Sequence, residues 1–183
     1  MFLKILLLLL LLPLAVNADD ASAWQALKDG NAMLLMRHTH APGNGVATAV
    51  ILNDCSTQRN LDEQGKREAG DWGERLRRHG ITEARVYSSQ FCRALETARL
   101  LNVGEVEPAP ALNSFFLTRE RRSAQTEQLK QFITGLEPGL PIVMISHQVN
   151  ISALTSRFPA AGEALILAFP LDDRPNVLAS IRP

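Results

Sequence analysis

Leu34-Leu35-Met36-Arg37-His38 is the stretch of the chain that decides the fold. Residues 32–36 form an unbroken apolar run shortly after Asp29-Gly30, which is typical of a short strand that is buried on both faces. This run ends directly in an arginine and a histidine. The pattern therefore predicts a central strand that delivers two polar side chains to one edge of its sheet.

Two further strands are expected to end in the same way. Residues 85–89 lead into Gln90, with Arg93 just inside the next helical pattern, and the apolar residues 141–145 lead into Ser146-His147. The predicted strands alternate with predicted helices, which lie at residues 61–79, 92–101, 123–136 and 149–158, and brief strands are expected at 105–107, 164–169 and 177–181. This alternation predicts a single three-layer α/β/α domain with a mostly parallel sheet.

The polar strand ends are expected to meet in one cleft, because open α/β sheets bind ligands beyond the carboxyl ends of their strands. Arg37 and Arg93 would bring guanidinium groups that match phosphate oxygens, and the two helices that follow the second and third strands would add backbone donors at their N-termini. The arginines disfavour the cationic form of His38, so its neutral imidazole can attack phosphorus. Together with His147, the arginines would hold the equatorial oxygens.

Three motifs in this order resemble those of the histidine phosphatase superfamily, which has the phosphoglycerate-mutase-like fold. The motifs are Leu35-Met36-Arg37-His38, Ser88-Ser89-Gln90-Phe91-Cys92-Arg93-Ala94-Leu95-Glu96-Thr97-Ala98 and Ser146-His147, with Asn60-Leu61-Asp62-Glu63-Gln64-Gly65 between the first two. The match spans about Ala32 to Ser152. The resemblance implies a phosphohistidine at His38 and phosphate contacts from Arg37, Arg93 and His147.

The resemblance also implies two weaker contacts with the phosphate or substrate. An asparagine six places after the nucleophile is common in the superfamily, and Asn44 lies there in this chain. Arg59 precedes the shared Asn-Leu-x-x-x-Gly stretch and is expected to be within reach of the phosphate.

One departure from the superfamily concerns the general acid. Many members carry a Glu or Asp in the loop after the second arginine motif, whereas residues 110–116 of this chain contain no carboxylate and have Asn113 instead. Glu120 and Asp54 are the candidates to protonate the leaving group, although for Glu120 a surface carboxylate among neighbouring arginines is the slightly preferred interpretation. Without an acid, we expect a preference for good leaving groups, as in aryl phosphates or phosphoramidates.

The composition limits the classes of partner. The 183 residues include 19 basic and 19 acidic side chains, so the formal net charge of zero gives no general attraction to nucleic acid or an anionic membrane. The expected partner is a small phosphorylated substrate or a phosphoprotein, and no cofactor is predicted. A metal site that uses His38, His40, Asp54 and His147 is a less favoured alternative, because the neighbouring arginines repel a cation.

The first 18 residues predict a secretory signal peptide. Lys4 precedes the apolar run 5–12, and the small residues Val16 and Ala18 fit a cleavage site before Asp19. The run is shorter than the ~20 residues that a spanning helix needs, so cleavage is favoured over a retained membrane anchor. Residues 19–183 would then form a periplasmic or secreted phosphatase domain.

Export also affects the interpretation of Cys55 and Cys92, the two cysteines of the chain. In an oxidising compartment this pair predicts a disulfide, with two free buried thiols as the alternative. 

The sequence thus predicts an exported phosphatase that hydrolyses a phosphate monoester or phosphoramidate through a phosphohistidine. One alternative is a catalytically weak phosphate- or phosphosugar-binding module with the same fold. Another is a phosphomutase, which the compact chain and its predicted export make less favoured.

Overall fold

The computed structural model describes residues 18–43 and 50–183, and this part of the chain forms five helices and six strands. The helices are α1 (Ala18–Lys28), α2 (Glu63–Arg78), α3 (Cys92–Leu101), α4 (Arg122–Thr134) and α5 (Gln148–Thr155). The strands are β1 (Ala32–Arg37), β2 (Arg85–Ser88), β3 (Val106–Pro108), β4 (Ile142–Ser146), β5 (Ala164–Ala168) and β6 (Val177–Ile181). Single 3-10 turns cover Cys55–Thr57, Pro110–Leu112 and Arg119–Arg121.

The strands form one sheet in the order β3-β2-β4-β1-β5-β6. Strands β3, β2, β4 and β1 run parallel, whereas β5 pairs antiparallel with β1 and β6 antiparallel with β5. The prediction of a mostly parallel sheet is confirmed. The order places the three strands with polar ends, β2, β4 and β1, side by side at the centre.

Helices cover both faces of the sheet. Along β1, Leu34 and Met36 pack with residues of α1, α2 and α3, whereas Met33 and Leu35 pack with residues of α4 and α5. Neighbouring side chains of a strand point to opposite faces, so an unbroken apolar run serves two cores at once. The predicted three-layer α/β/α architecture is confirmed.

Helix α1 was not expected from the sequence. It buries Ala23, Trp24 and Leu27 in the core that it shares with α2 and α3, and the Trp24 ring stacks on His79 with 4.0 Å between ring centroids. Four of the six apolar residues of this helix are alanines, which give only a weak periodic signal, so packing rather than pattern determines this element. The predicted signal peptide lies almost entirely outside the described residues.

Several element boundaries differ from the prediction, most of them by one or two residues. Strand β3 is one residue later than expected, α4 ends at Thr134 rather than 136, and α5 ends at Thr155 rather than 158. Ser156 adopts a left-handed conformation at φ 58°, which ends α5 and lets the chain turn back towards the sheet. The early end of α5 matters for the site, because the residues after it bring the Pro159 carbonyl to Arg37 at the end of β1.

Helix α2 lies close to the loop after β1. Asp62 caps its N-terminus by accepting a hydrogen bond from the Gly65 N–H at 2.9 Å. A Cβ atom on Gly65 would lie 2.0 Å from the carbonyl oxygen of His40, so only glycine permits this approach. The loop is thereby held against the first turn of α2.

The Cys55–Cys92 disulfide is present, as predicted, with the two Cα atoms 5.7 Å apart. It joins the first 3-10 turn to the first residue of α3. Within residues 18–43 and 50–183, no helix is both long and apolar enough to cross a bilayer.

Candidate active site

The ends of β1, β2 and β4 meet at one edge of the sheet. The backbone N–H of His38 donates to the carbonyl of Ser146 at 3.1 Å, and that of Ser89 donates to the carbonyl of Ile145 at 2.9 Å. These bonds continue the sheet by one residue on each strand. They bring the polar residues that follow the three strands into one cluster, as the sequence predicts.

His38 is buried with its tautomer fixed. Its Nδ1 lies 2.9 Å from the carbonyl oxygen of Thr39, which only accepts, so Nδ1 carries the proton and Nε2 carries the lone pair. The Nε–H of Arg93 donates to this Nε2 at 3.0 Å. Burial, together with the positive charges of Arg93, Arg37 and Arg59, lowers the pKa of His38 to about 3. His38 is therefore a neutral imidazole at physiological pH.

Arg93 links the two histidines. Its Nη2 lies 3.1 Å from Nδ1 of His147, and the Nε2 of that ring lies 2.8 Å from the Ser89 hydroxyl. Because arginine can only donate, His147 carries its proton on Nε2 and donates it to Ser89. The Ser89 hydroxyl in turn donates to Oδ1 of Asn113 at 3.1 Å. Burial and the Arg93 charge hold the pKa of His147 well below its usual value.

Two more arginines, Arg37 and Arg59, contribute positive charge around His38. The Nη1 of Arg37 donates to the carbonyl of Pro159 at 3.0 Å, in the segment released by the early end of α5. Arg59 donates from Nε to the carbonyl of Pro42 at 3.2 Å and from Nη2 to that of Ala41. Both arginines are anchored on backbone oxygens.

The arginine cluster carries positive charge without a counter-ion. Burial first, and then the charges of Arg59 and Arg37, lower the pKa of Arg93 to about 10, and burial with Arg59 lowers the pKa of Arg37. In the described part of the chain, none of the three forms an ion pair with a carboxylate. Three partly buried guanidinium groups with no acid among them form a site for an anion.

One N–H group at the N-terminus of the helix that carries Arg93 is engaged within the protein. The sequence suggested that the first N–H groups of α3 would bind the anion, but the Cys92 N–H donates to the side-chain Oε1 of Gln58 at 3.0 Å. Thr97, one turn into α3, accepts a hydrogen bond from the Thr39 N–H at 3.2 Å and thereby fixes α3 against the residue after His38. Neither Gln58 nor Thr97 was singled out from the sequence, although Gln58 lies in the polar run between Cys55 and Arg59.

Asn113 lies inside the cluster, where the sequence comparison expected a general acid in many relatives. Its Oδ1 accepts from the Gln90 N–H at 2.7 Å as well as from Ser89, and its Nδ2 donates to Oε1 of Gln90 at 2.8 Å. The loop is pinned from behind, because Asn150 and Gln125 both donate to the carbonyl of Asn113. An amide, rather than a titrating carboxyl, therefore occupies this position.

The remaining sequence candidates lie elsewhere. Glu120 is exposed in the third 3-10 turn, and Asp54 caps the first, where hydrogen bonds from Ser56 lower the pKa of its carboxyl. Neither has a hydrogen bond to the histidines or arginines of the cluster. Asn44 lies outside the described residues.

Of the residues of the alternative metal site, His38 and His147 lie together, whereas His40 and Asp54 have other partners. Nδ1 of His40 pairs with the Asp62 carboxylate at 3.0 Å, and Asp54 bonds with Ser56. Among residues 18–43 and 50–183, no group of three or more His, Cys, Asp or Glu side chains is arranged to hold a metal ion.

Comparisons with known proteins agree with the motifs. The family model described as the histidine phosphatase superfamily (branch 1) matches residues 33–117. No curated protein matches the chain significantly.

Solved structures of similar fold include several phosphatases. The protein histidine phosphatase SixA complexed with tungstate aligns with a TM-score of 0.56 and 20% identity, over 83% of this chain and 97% of its own. The phosphoserine phosphatase of Entamoeba histolytica gives 0.60 and 15%, over 83% and 97%. A mycobacterial glucosyl-3-phosphoglycerate phosphatase gives 0.61 and 14%, over 84% and 100%. The predicted resemblance to the superfamily is thus confirmed in sequence and in fold.

Proposed function

We propose that this chain, which has the fold of the histidine phosphatases, is an exported phosphatase that hydrolyses a phosphate monoester or phosphoramidate through a phosphohistidine at His38. The observation that carries the proposal is the state of His38. Its Nε2 is unprotonated, because the Thr39 carbonyl holds the ring proton on Nδ1. The charges of Arg93, Arg37 and Arg59 act on the ring, and none of these arginines forms an ion pair with a carboxylate among the described residues. A neutral nucleophile beside several guanidinium donors is the arrangement that phosphoryl transfer requires.

The first step transfers the phosphoryl group to His38. Phosphate oxygens are better acceptors than an imidazole for the Arg93 guanidinium, so substrate binding exchanges the Arg93–His38 bond for bonds to the phosphate and frees the lone pair. Nε2 then forms a bond to phosphorus while the bond from phosphorus to the leaving oxygen or nitrogen breaks. Arg37, Arg59 and Arg93 donate to the equatorial oxygens, and the ring of His147 lies beside them with its Nε2–H donated to Ser89.

The second step releases inorganic phosphate. Water attacks the phosphorus of phosphohistidine, the N–P bond breaks, and Nε2 of His38 recovers its lone pair. The Nδ1 proton stays on the ring throughout, because the Thr39 carbonyl holds it. The cluster of arginines stabilises the charge in both steps, so one site serves both.

The leaving group determines the substrate class. Asn113 cannot protonate a departing alkoxide, whereas an aryl oxide leaves without help and a phosphoramidate nitrogen can arrive already protonated. This supports aryl phosphates and phosphoramidates over simple alkyl esters. The similarity of the fold to SixA, a protein histidine phosphatase, is consistent with a phosphoramidate substrate, carried either by a small molecule or by a phosphoprotein. Glu120 and Asp54 stay candidates for the acid.

Export is supported by the pattern of residues 1–18 and by the disulfide, which forms in oxidising compartments. N-terminal sequencing of the protein recovered from the periplasm or medium should find Asp19 first. Recovery of the intact N-terminus in the membrane fraction would instead indicate an anchor.

The test of the catalytic proposal is a panel of aryl phosphates, alkyl phosphates and phosphoramidates, combined with trapping of an acid-labile phosphoenzyme. The aryl phosphate and the phosphoramidate should turn over, and His38→Ala should abolish both turnover and the trapped species. The matched control is His79→Gln, since His79 lies directly after the C-terminus of α2 and stacks on Trp24, and this variant should retain activity. Full activity in His38→Ala would overturn the proposal.

A second candidate function is a phosphate- or phosphosugar-binding module with little turnover. Asn113 favours it, because the site binds an anion with or without a proton donor. It predicts phosphate binding by calorimetry with no hydrolysis of any member of the panel.

A further inference from the structure

Arg59 is held among like charges. Its guanidinium donates to the carbonyls of Ala41 and Pro42, in the loop that follows His38, and its positive charge lowers the pKa of Arg93, Arg37 and His38. In the absence of an anion, this repulsion opposes the hydrogen bonds by which Arg59 is held on the carbonyls of Ala41 and Pro42. Arg59 comes from a loop rather than from a strand or helix, so the position of its backbone depends on what holds that loop.

Gln58 holds the loop on one side of Arg59. Its Nε2 donates to the carbonyls of Ile51 at 2.9 Å and Leu52 at 3.1 Å, while its Oε1 accepts from the N–H of Cys92 at 3.0 Å. A single side chain thus ties the loop to itself and to the first residue of α3. That helix carries Arg93 as its second residue.

The disulfide holds the same loop covalently. Cys55 is bonded to Cys92, and the Nδ2 of Asn60 donates to the Cys55 carbonyl at 2.7 Å. Gln58 and Asn60 are the neighbours of Arg59 in the chain. Their side chains therefore form hydrogen bonds with backbone groups of Cys92 and Cys55, respectively. The distance between the backbones of Arg59 and Arg93 is set by these fastenings.

We propose that the Cys55–Cys92 disulfide, assisted by Gln58, is a positioning device that keeps Arg59 in the phosphate site, so that the oxidised protein binds phosphate more tightly than the reduced protein. The inference rests on the proposed function in that it takes the anion to be a phosphate group. Oxidation removes two electrons and two protons from the thiols, and a disulfide-bearing oxidant of the exporting compartment accepts them. The site is then complete only after export.

The experiment measures binding of inorganic phosphate by calorimetry to the oxidised protein and to variants in a double-mutant cycle. Arg59→Ala and Cys55→Ser/Cys92→Ser should each weaken binding about 10-fold or more, which is the loss expected for one charge-assisted hydrogen bond. The variant that combines all three substitutions should bind no more weakly than Arg59→Ala alone, because the disulfide acts through Arg59. Equal losses from the disulfide with and without Arg59 would overturn the inference.

The matched control uses another arginine of the site. Arg37 is anchored on Pro159, away from the disulfide, so loss of the disulfide in an Arg37→Ala background should still weaken phosphate binding. Reduction of the folded wild-type protein with a phosphine should reproduce the effect of the serine variant, and should leave that variant unchanged. Phosphate affinity that does not respond to reduction would also refute the inference.

Gln58→Met guards against a serine variant that does not fold, because it keeps the disulfide and removes three hydrogen bonds of the loop. It should weaken phosphate binding in the presence of Arg59 and have no further effect in Arg59→Ala. None of these measurements needs turnover. If the protein binds phosphate in a disulfide-dependent way but hydrolyses nothing, the hydrolase proposal is refuted and this inference stands. If it hydrolyses the substrates but its phosphate affinity does not depend on the disulfide, this inference is refuted and the hydrolase proposal stands.

Discussion

Acid should destabilise this protein through the histidine that we propose as its nucleophile. The pKa of His38 is lowered to about 3 in the folded state from 6.5, mainly by burial and by the Arg93 charge. Between these two values the unfolded chain binds a proton at His38 that the folded protein does not accept. The free energy of unfolding therefore falls as the pH drops below 6.5 and stops falling near pH 3.

The size of the effect follows from the same two values. Within this window, one site contributes about 1.4 kcal/mol for each pH unit, so His38 alone should cost the folded state about 2 kcal/mol between pH 7 and pH 5. The pKa of His147, which is buried and also lowered by Arg93, adds a loss in the same direction. For a domain of this size, about 2 kcal/mol corresponds to a fall in Tm of roughly 4–8 °C.

The assay is urea denaturation at pH 7 and pH 5 for the wild-type protein and for His38→Gln, which keeps an acceptor for Arg93 but does not titrate. The loss of stability should be smaller in His38→Gln by about 2 kcal/mol. His40→Asn is the matched control, because His40 pairs with Asp62 rather than with the arginines, and it should not reduce the loss. An equal loss in the wild-type protein and in His38→Gln would refute the argument that His38 is neutral in the folded state.

Three further variants test the site and its supports. Arg93→Met should lower kcat/KM for an aryl phosphate about 10²-fold or more, measured by steady-state kinetics, because this side chain contacts both histidines and, in the proposed mechanism, binds the phosphate. Ser89→Ala should lower kcat and cost about 1–3 kcal/mol in urea denaturation, since it leaves the buried N–H of His147 without its acceptor, and unchanged stability would contradict this hydrogen bond. Gly65→Ala should destabilise by roughly 1–3 kcal/mol because its Cβ would meet a backbone oxygen, whereas Gly70→Ala in the same helix meets nothing within 4 Å and should be neutral or stabilising by thermal melting.

The sequence pattern predicted the central strands of the sheet correctly, but it missed one helix and misplaced the end of another. The unbroken apolar runs of β1 and β4 could only be strands buried on both faces, so the layers were predictable from them. Helix α1 was missed, because its apolar residues gain their burial from a distant core rather than from a local pattern. The end of α5 was placed three residues late for a related reason, since a left-handed Ser156 is chosen by the tertiary path of the chain.

The candidate site divides in the same way. Arg37, His38, Arg93 and His147 were found together because each follows a strand end or opens a helix, and topology alone brings those ends together. The roles of Gln58 and Thr97 could not be predicted in this way, because a single amide or hydroxyl forms no recognisable spacing pattern in the sequence. Their roles depend on which backbone groups lie within 3 Å once the loop and α3 are packed.

The sequence by itself determined the α/β architecture, the order of the motifs at the strand ends and the absence of a carboxylate from residues 110–116. These are properties of residue type and of position relative to strand ends, which the chain carries locally. Only the tertiary structure decided the tautomer of His38, the bridge that Arg93 forms between two histidines, and the fastening of Arg59 through Gln58 and the disulfide. Each of these depends on distances between atoms that lie far apart in the sequence, and those distances are set by packing.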